Sequence, residues 1–127
     1  MRTSCLFIDD IKDKGRGVFT TKKIAAGTII EVAPVIVMTK ADRFYLDKTL
    51  LHDYIFDWGK DNALCCMALG YLPIYNHSYK SNCEYFMNFE DNTIFVKTVR
   101  KIEEGEELTI NYNGDWDNDK KVWFDAI

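Results

Sequence analysis

Two short stretches decide how this chain reads: Ile74-Tyr75-Asn76-His77-Ser78, with Asn82-Cys83 just beyond it, and Gly105-Glu106-Glu107-Leu108-Thr109-Ile110-Asn111-Tyr112. In the second, Leu108 and Ile110 alternate with polar neighbours, which predicts a strand over 107–112 entered through a turn at Glu104-Gly105. The first sets an amide, an imidazole and a hydroxyl side by side in a predicted loop. Nucleophilic catalysis does not suit it. His77 and Ser78 are adjacent, badly placed to share a side-chain hydrogen bond, and no Gly-x-Ser-x-Gly elbow surrounds the serine. Zinc chemistry fits no better, since neither the only other histidine, His52, nor the Cys65-Cys66 pair has a metal-ligand spacing.

Outward from these stretches the period is mostly that of strands. Short apolar runs at 5–8 and 18–19, and an Ile- and Val-rich run at 28–38 broken by Pro34, predict β structure joined by turns at Lys14-Gly15-Arg16-Gly17 and Ala26-Gly27. Segments 84–89 and 93–99 predict a hairpin around Glu90-Asp91-Asn92. The middle differs. Leu46, Leu50 and Tyr54, with Leu51 and Ile55 beside them, predict an amphipathic helix over 42–58. Asp61 or Asn62 then caps a shorter helix to Leu69 that Gly70 closes, making a helical insert over about 40–70. The tail, 113–127, holds Trp116, Trp123 and Phe124, too much aromatic surface to leave in water, and is expected to dock.

Composition bounds the partners. The 127 residues suit one domain, and 47% hydrophobic with 28% charged residues exclude both intrinsic disorder and a membrane span. Sixteen basic against twenty acidic residues leave a net charge of −4, which argues against a phosphate-dominated partner and for a cationic one. No direct nucleic-acid binding and no membrane association are expected. Late carboxylates from Glu103 to Asp119 form a candidate rim for a basic peptide. Cys5, Cys65, Cys66 and Cys83 read as free buried thiols, and the N-terminus does not read as a signal peptide, so an intracellular, reducing setting is expected. The glycosylation triplet at Asn76 is therefore set aside.

In order along the chain, the Gly-x-Gly turn, Ala68-Leu69-Gly70-Tyr71, the Asn-His-Ser segment and the run from Gly105 to Tyr112 resemble the signatures of SET-domain protein lysine methyltransferases. The resemblance covers about 14–114, and the short chain is similar to minimal viral and bacterial members. It implies a mainly β, β-clip-like fold of small curved sheets, with a C-terminal pseudoknot that brings Asn76 and His77 beside Tyr112. It implies S-adenosylmethionine held on one face by Lys14, Gly15, Arg16, Gly17, Asn76 and His77, and a basic peptide such as a histone tail on the other. A narrow channel would join the faces, with Tyr112 as catalytic tyrosine, touching the cofactor as well, and Tyr54 and Tyr85 as active-site walls. Trp116 or Trp123 would close over the site. Tyr79 stands where many members carry a zinc-binding cysteine, so no structural zinc is expected. Ile110 stands where many carry Phe or Tyr, which leaves the number of methyl groups added open. Minimal members sometimes dimerise, and the tail aromatics suit a homodimer.

The implied chemistry explains such a channel. Methyl transfer needs a neutral amine, yet lysine, with a pKa of about 10.4, is almost wholly protonated at neutral pH. Aromatic walls next to a cationic sulfonium disfavour a second positive charge by desolvation and repulsion. Tyrosine oxygens and carbonyls then align the methyl group. Two rival readings remain at the level of sequence: a non-catalytic module of the same fold that binds a basic peptide, and an unrelated β-rich interaction domain.

Overall fold

The computed structural model describes residues 1–13 and 15–112, so the tail from 113 to 127, with Trp116, and Lys14 lie outside the described residues. In chain order the strands among the described residues are β1 (Leu6–Ile11), β2 (Gly15–Thr20), β3 (Ile29–Met38), β4 (Phe56–Trp58), β5 (Leu64–Ala68), β6 (Asn76–His77), β7 (Cys83–Asn88), β8 (Thr93–Thr98) and β9 (Glu107–Ile110), with one α-helix among them, α1 (Lys40–Leu46). They form two sheets, ordered β1-β2-β9-β6 and β4-β5-β3-β8-β7. The fold is mainly β, as expected.

The Ile- and Val-rich run forms β3, the hub of the larger sheet. Its first half pairs with β8, ending at Pro34 opposite Thr93, and its second half pairs with β5, beginning at Val35 opposite Ala68. Pro34, with no N–H to give, thus sits where the strand exchanges one partner for the other. The 83–98 hairpin forms as expected. Its turn is held by Asn88, whose Oδ1 accepts from the Glu90 and Asp91 N–H groups at 3.1 Å. The turns before β3 and β9 lie alongside one another, joined by the reciprocal Ile24 and Ile102 backbone bonds at 3.0 and 2.8 Å. Val18, Ile30, Ile94, Val96, Leu108 and Ile110, all fully buried, belong to one core shared by both sheets.

The middle corrects the sequence reading. The helix expected over 42–58 covers only Lys40–Leu46, and Leu50–Asp53 is a separate 3-10 turn. Thr49 is the reason. Its hydroxyl donates to the Leu46 carbonyl at 2.7 Å and accepts from the Leu51 N–H at 3.2 Å, ending one helix and capping the next turn. No residue of α1 is buried and Leu50 is 76% exposed, so the apolar stripe is not a core face. The second expected helix is strand β5, with Cys65 and Cys66 fully buried. Asp61 and Asn62 do not cap it. With φ of 59° and 54° they make a left-handed turn that returns the chain from β4 to β5. The edge of β3 then draws 64–68 into the sheet.

A crossing near the chain's described end positions the site. Strand β9 lies between β2, antiparallel, and the two-residue β6, parallel, with Asn76 opposite Thr109 and His77 opposite Ile110. The loop leaving β6 closes over β9: the Ser78 N–H donates to the Ile110 carbonyl at 3.0 Å, and Asn111 Nδ2 to the Tyr79 carbonyl at 3.3 Å. Buried Asn82 pins the return, accepting from the Thr109 N–H and donating to the Glu107 carbonyl, each at 2.8 Å. This is the expected pseudoknot.

Candidate active site

Because β6 and β9 run parallel with His77 opposite Ile110, the chain that leaves β9 carries Tyr112, two residues on, to the His77 side chain. Buried His77 accepts the Tyr112 N–H on Nδ1 at 3.0 Å, and the two rings lie 5.1 Å apart. An imidazole nitrogen that accepts an amide proton is unprotonated, and burial holds the His77 pKa below its usual value, in agreement. His77 is a neutral support for the Tyr112 backbone.

Tyr112 is anchored at both ends. Its hydroxyl donates to the Tyr75 carbonyl at 2.8 Å, and its own carbonyl accepts the Tyr85 hydroxyl at 3.3 Å. Burial, then the neighbouring Tyr54 phenol and Glu107 carboxylate, push the Tyr112 hydroxyl up to about 12. It therefore stays protonated across the physiological range, with its hydrogen directed at the Tyr75 carbonyl. Tyr85 meets Phe56 edge to face at 5.3 Å, which adds Phe56 to the aromatic side chains around Tyr112. Tyr54 follows the 3-10 turn, its N–H donating to the Leu51 carbonyl at 2.9 Å.

On the other side of β6, Asn76 Nδ2 donates to the Arg16 carbonyl at 2.9 Å and to Glu107 Oε2 at 2.8 Å. Gly17 is required by that pair. A Cβ there would lie 2.7 Å from the Glu107 oxygen, 3.0 Å from Asn76 Nδ2 and 2.6 Å from Ile11 Cδ1. The Gly-x-Gly segment belongs to β2 rather than to a turn, and its second glycine is there for packing. Gly15, at φ +84°, has no described atom within 4 Å of where its Cβ would stand.

Beneath the aromatic cluster, Glu31 is 1% exposed, an acidic residue inside the Ile- and Val-rich strand. Tyr75 donates its hydroxyl to Oε1 at 2.9 Å, the Tyr71 N–H donates to Oε2 at 2.8 Å, and Arg2 lies 4.0 Å away, stacked over the Tyr71 ring. Burial raises the Glu31 pKa while these partners lower it. Gly70, at φ +67°, leaves the space that the carboxylate occupies. Burial also pushes the Cys66 and Cys83 thiols up to about 12, so neither supplies a thiolate at neutral pH. Among the described residues no group of three or more His, Cys, Asp or Glu has the geometry to hold a metal ion.

Tyr112, Tyr85, Tyr54, Asn76, His77, Arg16 and Gly17 are thus joined through β6, β9 and their neighbours, with Gly15 opening β2. Lys14 and Trp116, also expected at the site, lie outside the described residues. Sequence reading placed Glu107 only in the acidic rim, not against Asn76, and gave no role to Phe56, Tyr75 or Glu31. A charge within an Ile and Val run was the signal for Glu31, and position opposite Leu108 in the alternation was the signal for Glu107.

A family description, "SET domain", matches residues 15–113. The chain belongs to the SET-domain family. It is 35% identical over 123 residues to a Schizosaccharomyces pombe protein named histone-lysine N-methyltransferase, H3 lysine-37 specific, covering 96% of this chain and 78% of that one. It also resembles the crystal structure of a Plasmodium falciparum protein described as a candidate histone methyltransferase, with a TM-score of 0.68 and 25% identity over 90% of this chain and 97% of that one. No helix among the described residues of this SET domain is long and apolar enough to cross a membrane.

Proposed function

We propose that this SET domain transfers methyl groups from S-adenosylmethionine to a lysine side chain of a basic protein, with a histone as the substrate class, inside the cell. The observation that carries the reading is the junction of Tyr112 with His77, Tyr54, Tyr75 and Tyr85, beside the Asn76 and Arg16 contact. The yeast relative's name supports the substrate class.

The residues present fit the cofactor. No described atom lies within 4 Å of where a Gly15 Cβ would stand, and the Asn76 amide directs its NH2 at Arg16 and Glu107, so that its oxygen is turned away from both. Gly15, Arg16, Gly17, Asn76 and His77 are the residues that would hold it, beside Tyr112. When bound, the cofactor supplies a methyl group on a cationic sulfur. The chain's own part is to admit a neutral amine, align it and exclude water. Tyr54, Phe56 and Tyr85 supply low-polarity walls that disfavour an ammonium ion. Tyr112, with a protonated phenol near 12, is not a general base. Its oxygen serves as a fixed acceptor for polarised C–H groups, and solvent takes the amine proton before the amine enters.

Incubation with labelled S-adenosylmethionine and basic peptides, read by mass, tests the reading. Mass increments of one, two or three methyl groups are expected with wild type, and about 100-fold or more slower transfer with Tyr112→Phe. Transfer by Tyr112→Phe at the wild-type rate removes the catalytic assignment, and absence of both cofactor binding and transfer in wild type removes the function.

A further inference from the structure

The larger sheet runs β4-β5-β3-β8-β7, so β4 and β7 are its two edges, and among the described residues no backbone ladder joins them. Their aromatic side chains nevertheless meet. Phe56 of β4 lies edge to face with Tyr85 of β7 at 5.3 Å, and Trp58 of β4 lies edge to face with Phe89, one residue beyond β7, at 4.8 Å. The sheet therefore curls until its first and last strands touch through two ring pairs. Since β4 is hydrogen-bonded to β5 and β7 to β8, each on one side, the approach of one edge to the other is set by side chains.

Alternation places these rings. Phe56 and Trp58 are two residues apart and share one face of β4, while Asp57 between them turns the other way, to the Arg43 guanidinium of α1. Trp58 is 3% exposed and belongs to the core, so it is the fixed member of its pair. Phe89 is 53% exposed and sits in the hairpin turn that Asn88 closes by accepting the Glu90 and Asp91 N–H groups. A ring left half in water adds little to the core, and its ring partner is the opposite edge of the sheet.

We propose that Phe89 is a positioning residue for the methyl-accepting amine: its contact with Trp58 sets how closely β4 approaches β7, and so where Phe56 and Tyr85 stand around Tyr112 and how bulky an amine fits beside them. The proposal rests on the function proposed above. Phe89 acts through Trp58 and not on the reacting atoms. Without its ring the Phe56 and Tyr85 pair alone links the two edges, and the strands part at the far end. That relieves crowding on an amine that already carries methyl groups more than on unmodified lysine.

Two peptides of one basic histone-tail sequence, one with unmodified and one with dimethylated lysine, test this when methyl transfer from S-adenosylmethionine is read by mass and S-adenosylhomocysteine affinity by calorimetry. Phe89→Ala is expected to raise the dimethyl-lysine rate relative to the lysine rate by about fivefold or more, as loss of one ring pair allows, and to leave the affinity within about twofold of wild type. Phe89→Tyr, which keeps the ring, is expected to keep the wild-type ratio. A merely structural role lowers both rates and the affinity together without moving the ratio, and that result overturns the proposal. An unmoved ratio with intact affinity overturns it as well, as does a Phe89→Tyr ratio that matches Phe89→Ala. If wild type neither binds S-adenosylhomocysteine nor methylates either peptide, the proposed function falls and takes this inference with it. If wild type methylates lysine and the ratio stays fixed in Phe89→Ala, only the inference falls.

Discussion

Two atoms of Tyr112 divide its work. The N–H holds His77 and the hydroxyl holds the Tyr75 carbonyl, so Tyr112→Phe keeps the first bond and loses the second. The Tyr75 carbonyl is left without that donor, and a stability loss of about 1–3 kcal/mol is expected in urea denaturation, well short of unfolding the domain. Because burial and the Tyr54 and Glu107 neighbours push the hydroxyl up to about 12, its ionisation does not limit the reaction at lower pH. The proposed enzyme's kcat/KM is therefore expected to rise about tenfold per pH unit between about 7 and 9 as the lysine's neutral fraction grows, with no downturn from Tyr112. A plateau below about pH 8 in that profile means that the site binds the ammonium form and lowers its pKa itself. Gly70 offers a second residue-scale test. Alanine there takes a positive φ and drives its methyl into the Glu31 carboxylate, so Gly70→Ala is expected to cost about 2 kcal/mol or more, measured by denaturation at neutral pH. Sequence alone named Tyr112, Asn76 and His77 because their motif is local and their order is diagnostic. It missed these contacts of Glu31, Glu107 and Phe56, reading Glu107 only as part of an acidic rim, because each acts through a partner far along the chain: Tyr75, Asn76 and Tyr85.

Among the elements, legibility followed how local the deciding force was. The hairpin of β7 and β8 carries its own turn chemistry in Asn88 and Asn92, and the alternation of β9 shows its buried face directly. The insert misled because its apolar period was real but its destination was not. Thr49 breaks the helix with two hydrogen bonds, and Leu64–Ala68 becomes a strand because β3 offers an edge to pair with, which no local propensity records. The element most dependent on one side chain is the closure over β9. Asn82 is 3% exposed and bonds the Thr109 N–H, the Glu107 carbonyl and, at 3.1 Å, Glu106 Oε2. Asn82→Ala leaves two backbone groups of β9 short of a partner and is expected to cost about 2–4 kcal/mol. In hydrogen exchange the Thr109 amide is expected to lose protection while β3 and β8 amides keep theirs. Equal loss across both sheets would mean that Asn82 supports the whole core rather than the crossing.

At the scale of the whole molecule, the response of stability to pH tests whether the two turns that flank the knot act together with its interior. Glu106 accepts from Arg100 at 2.5 Å, from the Glu103 N–H at 3.0 Å and from Asn82, and these contacts, Arg100 first, bring its pKa down to about 2. A carboxylate depressed from 4.5 binds fewer protons folded than unfolded between the two values, so its contribution is complete above about 4.5 and is lost as pH falls toward about 2. His77 acts at higher pH in the same direction. Its folded pKa lies below 6.5, so acid protonates the unfolded chain first, and the stability supplied by neutral His77 declines as pH drops below about 6.5. Glu31 opposes both, since burial raises its folded pKa above 4.5 and protonation there relieves a desolvation penalty as pH falls. Urea denaturation of wild type and Glu106→Gln across pH 7 to 2 separates them. The variant is expected to be less stable at pH 7 and to lose less between about pH 4.5 and 2, while keeping the decline that begins near pH 6.5, because His77 and its Tyr112 bond are untouched. Parallel curves for the two proteins at low pH would show that the Arg100 and Glu106 pair is a solvent-screened surface contact, and that the knot is held by Asn82 and the backbone alone.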